Sequence, residues 1–184
     1  MYSHFKTASD SEILLSELML PNHTNFSGKI HGGVILSLMD KAAFSCASKH
    51  SAHYCVTASV NRVDFLHPIE VGELVTLKAR INYAGNSSMV IGIRVESQTI
   101  QTGEVKHCNS SYFTMVAKDK DGHSVKVPGL IIRNNNELRR FLRAVKGLKS
   151  TVERDNEFKA SNFSPGEHNT DLSSYNVKLM LTDK

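Results

Sequence analysis

The sequence predicts an α+β fold in which one long buried helix is wrapped by a single curved antiparallel sheet. Three observations carry this. Residues 33–50 are apolar nearly all the way round a helix, through Val34, Ile35, Leu36, Leu38, Met39, Ala42, Ala43, Phe44, Cys46 and Ala47, and a helix without a polar face is a buried one. Four runs rich in Val, Ile, Thr, Tyr and Phe follow, at 54–67, 71–84, 87–99 and 105–117,. Only short turns separate them (His67-Pro68-Ile69-Glu70, Gly85-Asn86 and Gln101-Thr102-Gly103-Glu104), so neighbouring strands run antiparallel.

The elements can be justified in order. Residues 13–20 read as a short, mostly apolar strand stopped by Pro21,. A polar, glycine-bearing loop leads to the helix, and the four strands come after it. Five strands supply little cover for a helix this apolar, so a second copy of the chain is the natural source of the rest. Past Pro128 the composition changes. Residues 133–149 read as a basic amphipathic helix, with Leu138, Phe141, Leu142 and Val145 on one stripe and Arg139, Arg140, Arg143, Lys146 and Lys149 around it,. Residues 150–184 are polar and poorly patterned. The expected division is a domain at 8–129 and a basic, partly helical extension at 130–184.

At 184 residues the chain suffices for one domain with a real core,. The net charge of +4 divides as +1 for residues 1–129 and +3 for 130–184. With 7% aromatics and no Trp, neither a basic stripe nor a base-stacking surface is present, which argues against nucleic acid as a partner. No apolar run is long enough to span a membrane, and the N-terminus lacks the apolar core of a signal peptide. Cys46, Cys55 and Cys108 form no CxxC pair or zinc-type spacing,. Buried free thiols in a reducing cytoplasm are expected, with no metal and no cofactor.

One acid looks out of place. Asp40 lies between Leu36 and Phe44 on its own helical row,. An ionised carboxylate in apolar surroundings is paired, neutralised or functional. The plain alternative is a structural acid pairing with Lys41 or Lys49. Three neighbours favour function. Gly32-Gly33 opens the helix, where N–H groups and the positive end of the helix dipole suit an oxyanion or a polarised carbonyl. Asn25 offers a carboxamide that can hold a water or a carbonyl. His31 stands beside the glycines. Asp40 lies seven residues beyond Gly33, roughly 10 Å along the axis, whereas an attacking group must come within about 3–3.5 Å of its carbonyl. If these residues act together, two chains must bring them together.

The motif NxxGxIHGGxxLxxMD (25–40), followed by VTASVNRVDFLHPIEVGELVTLKARINYAGNSSM and DGHSVKVP, resembles the hotdog-fold acyl-CoA thioesterases of the cytosolic acyl-CoA hydrolase type. The likeness covers residues 8–129. It implies a sausage-like central helix in a curved sheet, dimers with continuous sheets, and thioester hydrolysis at the dimer interface without metal or cofactor. Asn25 and Asp40 fall on the family's catalytic pair, with Asp40 supplied by the partner chain as general base or as nucleophile. Gly32 and Gly33 would polarise the carbonyl. His31, Phe44 and the Asn86-Ser87-Ser88 turn would contact acyl-CoA. A dimer at least is implied, with hexamers of three dimers as the larger assembly. The chain departs from the pattern in two places. Many relatives carry Lys or Arg in the turn written here Gly85-Asn86-Ser87-Ser88-Met89, and Asn61 replaces a second acid. Two other readings stand beside this one: a non-catalytic acyl-CoA sensor and a hotdog dehydratase, of which the latter expects a different acid arrangement at the helix start.

Overall fold

The structure, a computed structural model, describes residues 5–161 and 175–178. In chain order the elements begin with β1 (Phe5–Thr7), α1 (Ala8–Ser11), β2 (Ile13–Leu18) and, after a 3-10 turn, the helix α2 (Gly32–Ser51). Then come β3 (Tyr54–Val60), β4 (Glu73–Ala84), β5 (Ser88–Thr99), β6 (Val105–Lys118), β7 (Gly129–Ile131) and α3 (Asn135–Ala160). The chain falls into two compact units, Met1–Lys146 and Gly147–Lys184. The sheet, α2 and the first turns of α3 belong to the first unit, which therefore takes in residues 130–146.

β2 to β6 form one antiparallel sheet in the order β2-β4-β5-β6-β3, while β1 pairs with β7 in parallel. The α+β expectation of one helix against one antiparallel sheet holds. α2 lays Ile35, Leu38, Met39, Ala42, Ala43 and Cys46 on the core made by Leu77, Ala79, Ile91, Ile93, Phe113 and Met115. The two adjacent alanines let the helix backbone come close to the strands. The helix begins at His31, whose ring nitrogen caps it, and ends at Ala52 in the left-handed region, φ 59°.

Two expectations are corrected. The run 54–67 is strand only as far as Val60, and β3 pairs with β6 rather than turning back on β4. Strands β4 to β6 are joined by tight turns and pair in sequence, so the remaining edge open to β3 is that of β6. The chain then needs residues 61–72 to travel back across the sheet, and Asn61 and Leu66 still donate backbone hydrogen bonds to β6 on the way. The second correction concerns α3, which runs through 150–160, where no apolar pattern announced it. The expectations for 162–174 and 179–184 lie outside the described residues.

The thiols of Cys46, Cys55 and Cys108 are buried and unpaired, as expected. Burial pushes the Cys46 thiol up to about 12 and raises that of Cys108, so neither offers a thiolate at neutral pH.

His50 and Glu73 make stability depend on acid. His50 is fully buried, its Nδ1 3.1 Å from the Ser11 hydroxyl and its Nε2 3.1 Å from the Pro128 carbonyl. A neutral ring satisfies both by donating from Nε2 and accepting at Nδ1. Burial lowers its pKa from 6.5, the Pro128 bond opposing. For Glu73, burial raises the pKa, but the bonds from Lys106, Ser97 and the Glu70 amide outweigh it and hold the group below 4.5. Both folded pKa values are depressed, so both contributions are whole above the unfolded values and fade as pH falls through the folded ones. Below about pH 6.5 the unfolded chain takes up the His50 proton first. Thermal melts from pH 7 to 5 should lose more in wild type than in His50→Gln, whose amide can replace both bonds. Equal losses would remove His50 from the account.

Candidate active site

Asn25 is held by its own loop. Its Oδ1 accepts hydrogen bonds from the Ser27 N–H at 3.0 Å, the Ser27 hydroxyl at 2.7 Å and the Lys29 N–H at 3.2 Å. Gly28 turns the chain there with φ +77°, a conformation glycine adopts without strain. Lys29 pairs with Glu70 at 2.5 Å and Ile30 N–H bonds to the Ile69 carbonyl, tying the loop to residues 69–70. With its oxygen occupied three times, Asn25 keeps its Nδ2–H2 as a fixed donor without a partner among the described residues.

The helix start is more specific than the Gly-Gly pair suggested. His31 Nδ1 accepts from Gly33 N–H at 2.9 Å, so that amide is already used. Gly32 N–H has no acceptor among the described residues. Of the two amides expected to be available, Gly32 N–H is thus the free one in the single chain. His31 acts as the helix cap. A Cβ on Gly32 would meet the Phe65 ring at 3.1 Å, and one on Gly33 would meet His31 at 3.0 Å. Both positions are tight.

Asp40 stands on the face of α2 turned away from the core. Leu36 and Phe44, one turn to either side, are each 37% exposed, and Asp40 is exposed too. The row that looked buried is thus, within one chain, an uncovered apolar stripe with a carboxylate in its middle. Asp40 Oδ1 accepts a 2.6 Å hydrogen bond from the Thr57 hydroxyl. Thr57 sits where the β3–β6 register shifts between Thr57 and Ser59, and such bulges re-aim side chains. Sequence reasoning missed Thr57. The signal was the VTAS stretch directly after the helix, but its facing Asp40 depends on how β3 and α2 pack.

Asp40, Thr57, Phe44, Tyr54 and Leu15 line an open groove of about 610 Å³. The Phe44 and Tyr54 rings meet edge to face with centroids 5.6 Å apart. Asn25, His31, Gly32 and Gly33 do not line this groove. Nor do Asn86, Ser87 and Ser88, which form the β4–β5 turn and whose carbonyls accept from Val127, Ala117 and Gly85. Metal-ligating side chains gather among the described residues at Asp119, Asp121 and His123. There Asp119 Oδ1 is engaged by the amides of its own turn.

Residues 27–104 match the Thioesterase superfamily. The Helicobacter pylori protein VdlD is 43% identical over 140 residues, 76% of this chain and 80% of its own. The structure of an apo-hexameric acyl-CoA thioesterase aligns with TM-score 0.80 at 32% identity, covering 82% of this chain and 97% of that one. The acyl-CoA hydrolase of Staphylococcus aureus, solved with butyryl coenzyme A, coenzyme A and coenzyme A disulfide, aligns with TM-score 0.78 at 30% identity over 84% of this chain and 94% of the other. Alanine variants of that hydrolase at an aspartate, an asparagine and a threonine have also been solved. Fold and sequence together define a hotdog thioesterase. Within that class, this chain belongs to the acyl-CoA thioester hydrolases of the Thioesterase superfamily.

Proposed function

We propose that this protein hydrolyses acyl-CoA to a free fatty acid and CoA at sites built by two copies of the chain. The observation that carries the site is Asp40: an exposed carboxylate within an apolar stripe, oriented by Thr57 at the mouth of a groove. One chain leaves Asp40 apart from Asn25 and Gly32. It also leaves Leu36, Phe44, Tyr54 and the free edge of β3 uncovered, and an unpaired edge strand is a ready template for another chain. A second copy laid along β3 covers the stripe and presents its Asp40 to the first copy's Asn25.

In this reading Gly32 N–H and Asn25 Nδ2 hold the thioester carbonyl oxygen and stabilise the negative charge that develops on it. Asp40 of the other copy either takes a proton from the attacking water or attacks the carbonyl itself, forming an anhydride that water then opens. CoA leaves as a thiolate, a good leaving group that needs no metal. The apolar groove beside Phe44 and Tyr54 receives the acyl chain. The S. aureus variants support the three roles: their aspartate, asparagine and threonine have the same separations along the chain as Asp40, Asn25 and Thr57. His31 acts by capping the helix, and the Asn86-Ser87-Ser88 turn meets the substrate only across the assembled interface. The assembly is a dimer at least, and a hexamer of three dimers is the larger form consistent with the hexameric relative. Buried, unpaired thiols suit a reducing cytoplasm,. No described helix is long and apolar enough to cross a membrane.

The test is thiol release from acyl-CoA by the purified protein, with Asp40→Asn beside it. A sensor would bind acyl-CoA and release nothing. Thr57 gives a finer check as a positioning residue. Thr57→Val keeps the shape of the side chain and deletes a hydrogen bond to a charged group, worth about 1.5–3 kcal/mol, so kcat should fall about tenfold or more with KM little changed. Thr57→Ser should restore most of the rate and the wild-type pH profile. Equal activity in the Val and Ser variants would show that the hydroxyl does not orient Asp40.

A further inference from the structure

The outer face of the sheet, opposite α2, carries an unusual concentration of positive charge. Lys78, Arg94 and Ser110 lie side by side across β4, β5 and β6, and Arg80, Gly92 and Tyr112 form the next row. The first turns of α3 bring Arg139, Arg140 and Arg143 over these rows. Together they enclose a cavity of about 380 Å³ that also takes in Asn82 and Glu12.

Two carboxylates pair with three of the six cations. Glu96 bridges Lys78 and Arg94 at 2.5 and 2.6 Å, and Glu12 receives two 3.0 Å hydrogen bonds from Arg80. Arg139, Arg140 and Arg143 make no ion pair among the described residues. Arg80 Nε is buried without an acceptor. Like charges directly opposed in a sheet, or four residues apart on a helix, repel, so this arrangement is costly unless something anionic enters. Glycine at residue 92 makes room for the Asn82 carboxamide in the floor of the cavity: a Cβ there would lie 2.2 Å from Asn82 Nδ2. Arginine forks match phosphate oxygens in pairs, and the neutral groups of Asn82, Ser110 and Tyr112 add donors. The volume exceeds what one phosphate fills.

We propose that this cavity binds a multiply charged phosphate anion, at a site separate from the Asp40 groove. Strands β4 to β6 stand between the two, and the groove's lining shares no residue with the cavity. The ligand is either a free polyphosphate or the phosphates of a CoA molecule. This inference is independent of the hydrolytic reading, since it can hold or fail whatever Asp40 does.

Titration calorimetry of the full chain with inorganic triphosphate tests it. Wild type should bind, more weakly as salt is raised. Arg139→Gln/Arg143→Gln should bind at least about tenfold more weakly. Both arginines are exposed and their like charges repel, so without ligand the variant should melt no lower than wild type; Arg140→Gln gives a second, independent reading. Lys41→Gln removes a cation from the Asp40 groove instead and should bind as wild type does. If excess CoA displaces triphosphate, the natural source is CoA; if it does not, the source is a free polyphosphate. No binding by wild type, or equal binding by wild type and both arginine variants, overturns the proposal. So does a loss in Lys41→Gln as large as that in the arginine variants.

Discussion

Asp40→Asn should slow thiol release from acyl-CoA by about 10²-fold or more, the scale of a lost general base or nucleophile. The amide has the size of the carboxylate, and its oxygen can still accept the Thr57 hydroxyl bond seen at 2.6 Å. What it lacks is the capacity to take a proton or to attack a carbonyl. Because Asp40 is exposed in the single chain and pairs with no cation among the described residues, the exchange should leave the melting temperature nearly unchanged. The same variant should still bind acyl-CoA, since the groove beside Phe44 and Tyr54 is intact. A rate close to wild type would return Asp40 to a structural role. A variant that no longer folds would show that the carboxylate holds the interface rather than the reaction.

Mixing two inactive chains should restore activity. Asn25→Ala removes the fixed Nδ2 donor from one side of the site, and Asp40→Asn removes the carboxylate from the other. If each site takes Asn25 from one copy and Asp40 from the next, a dimer of one Asn25→Ala chain and one Asp40→Asn chain has one doubly damaged site and one intact site. Random pairing of two chains in isologous dimers then regenerates about a quarter of the wild-type sites. The separation of roughly 10 Å along α2 between Gly33 and Asp40 is the physical reason to expect this. The uncovered stripe at Leu36 and Phe44 is the structural one. Mixed dimers that form but remain inactive would place the whole site within a single chain.

Much of this protein was legible from the order of its residues. The helix expected at 33–50 is Gly32–Ser51, because an apolar pattern around a full helix and a Gly-Gly start are local signals. Strands β4, β5 and β6 lie within one or two residues of their expected limits, because β-branched runs bounded by tight turns are local too. Asn25 and Asp40 became candidates because a loop amide and an acid on an apolar row are conspicuous where they stand.

What tertiary structure decided is what depends on distant residues meeting. β3 pairs with β6 because β4 to β6 pair in sequence, β2 takes the outer edge of β4, and the edge of β6 is the one left; no period in the sequence records the choice. Thr57 reaches Asp40, and His31 rather than substrate takes the Gly33 amide, through side-chain geometry that spacing does not encode. The cationic cavity joins residues 78–94, 110–112 and 139–143 from three strands and a helix. Each is an ordinary surface cation in sequence, and only the sheet register and the placement of α3 put them within one volume.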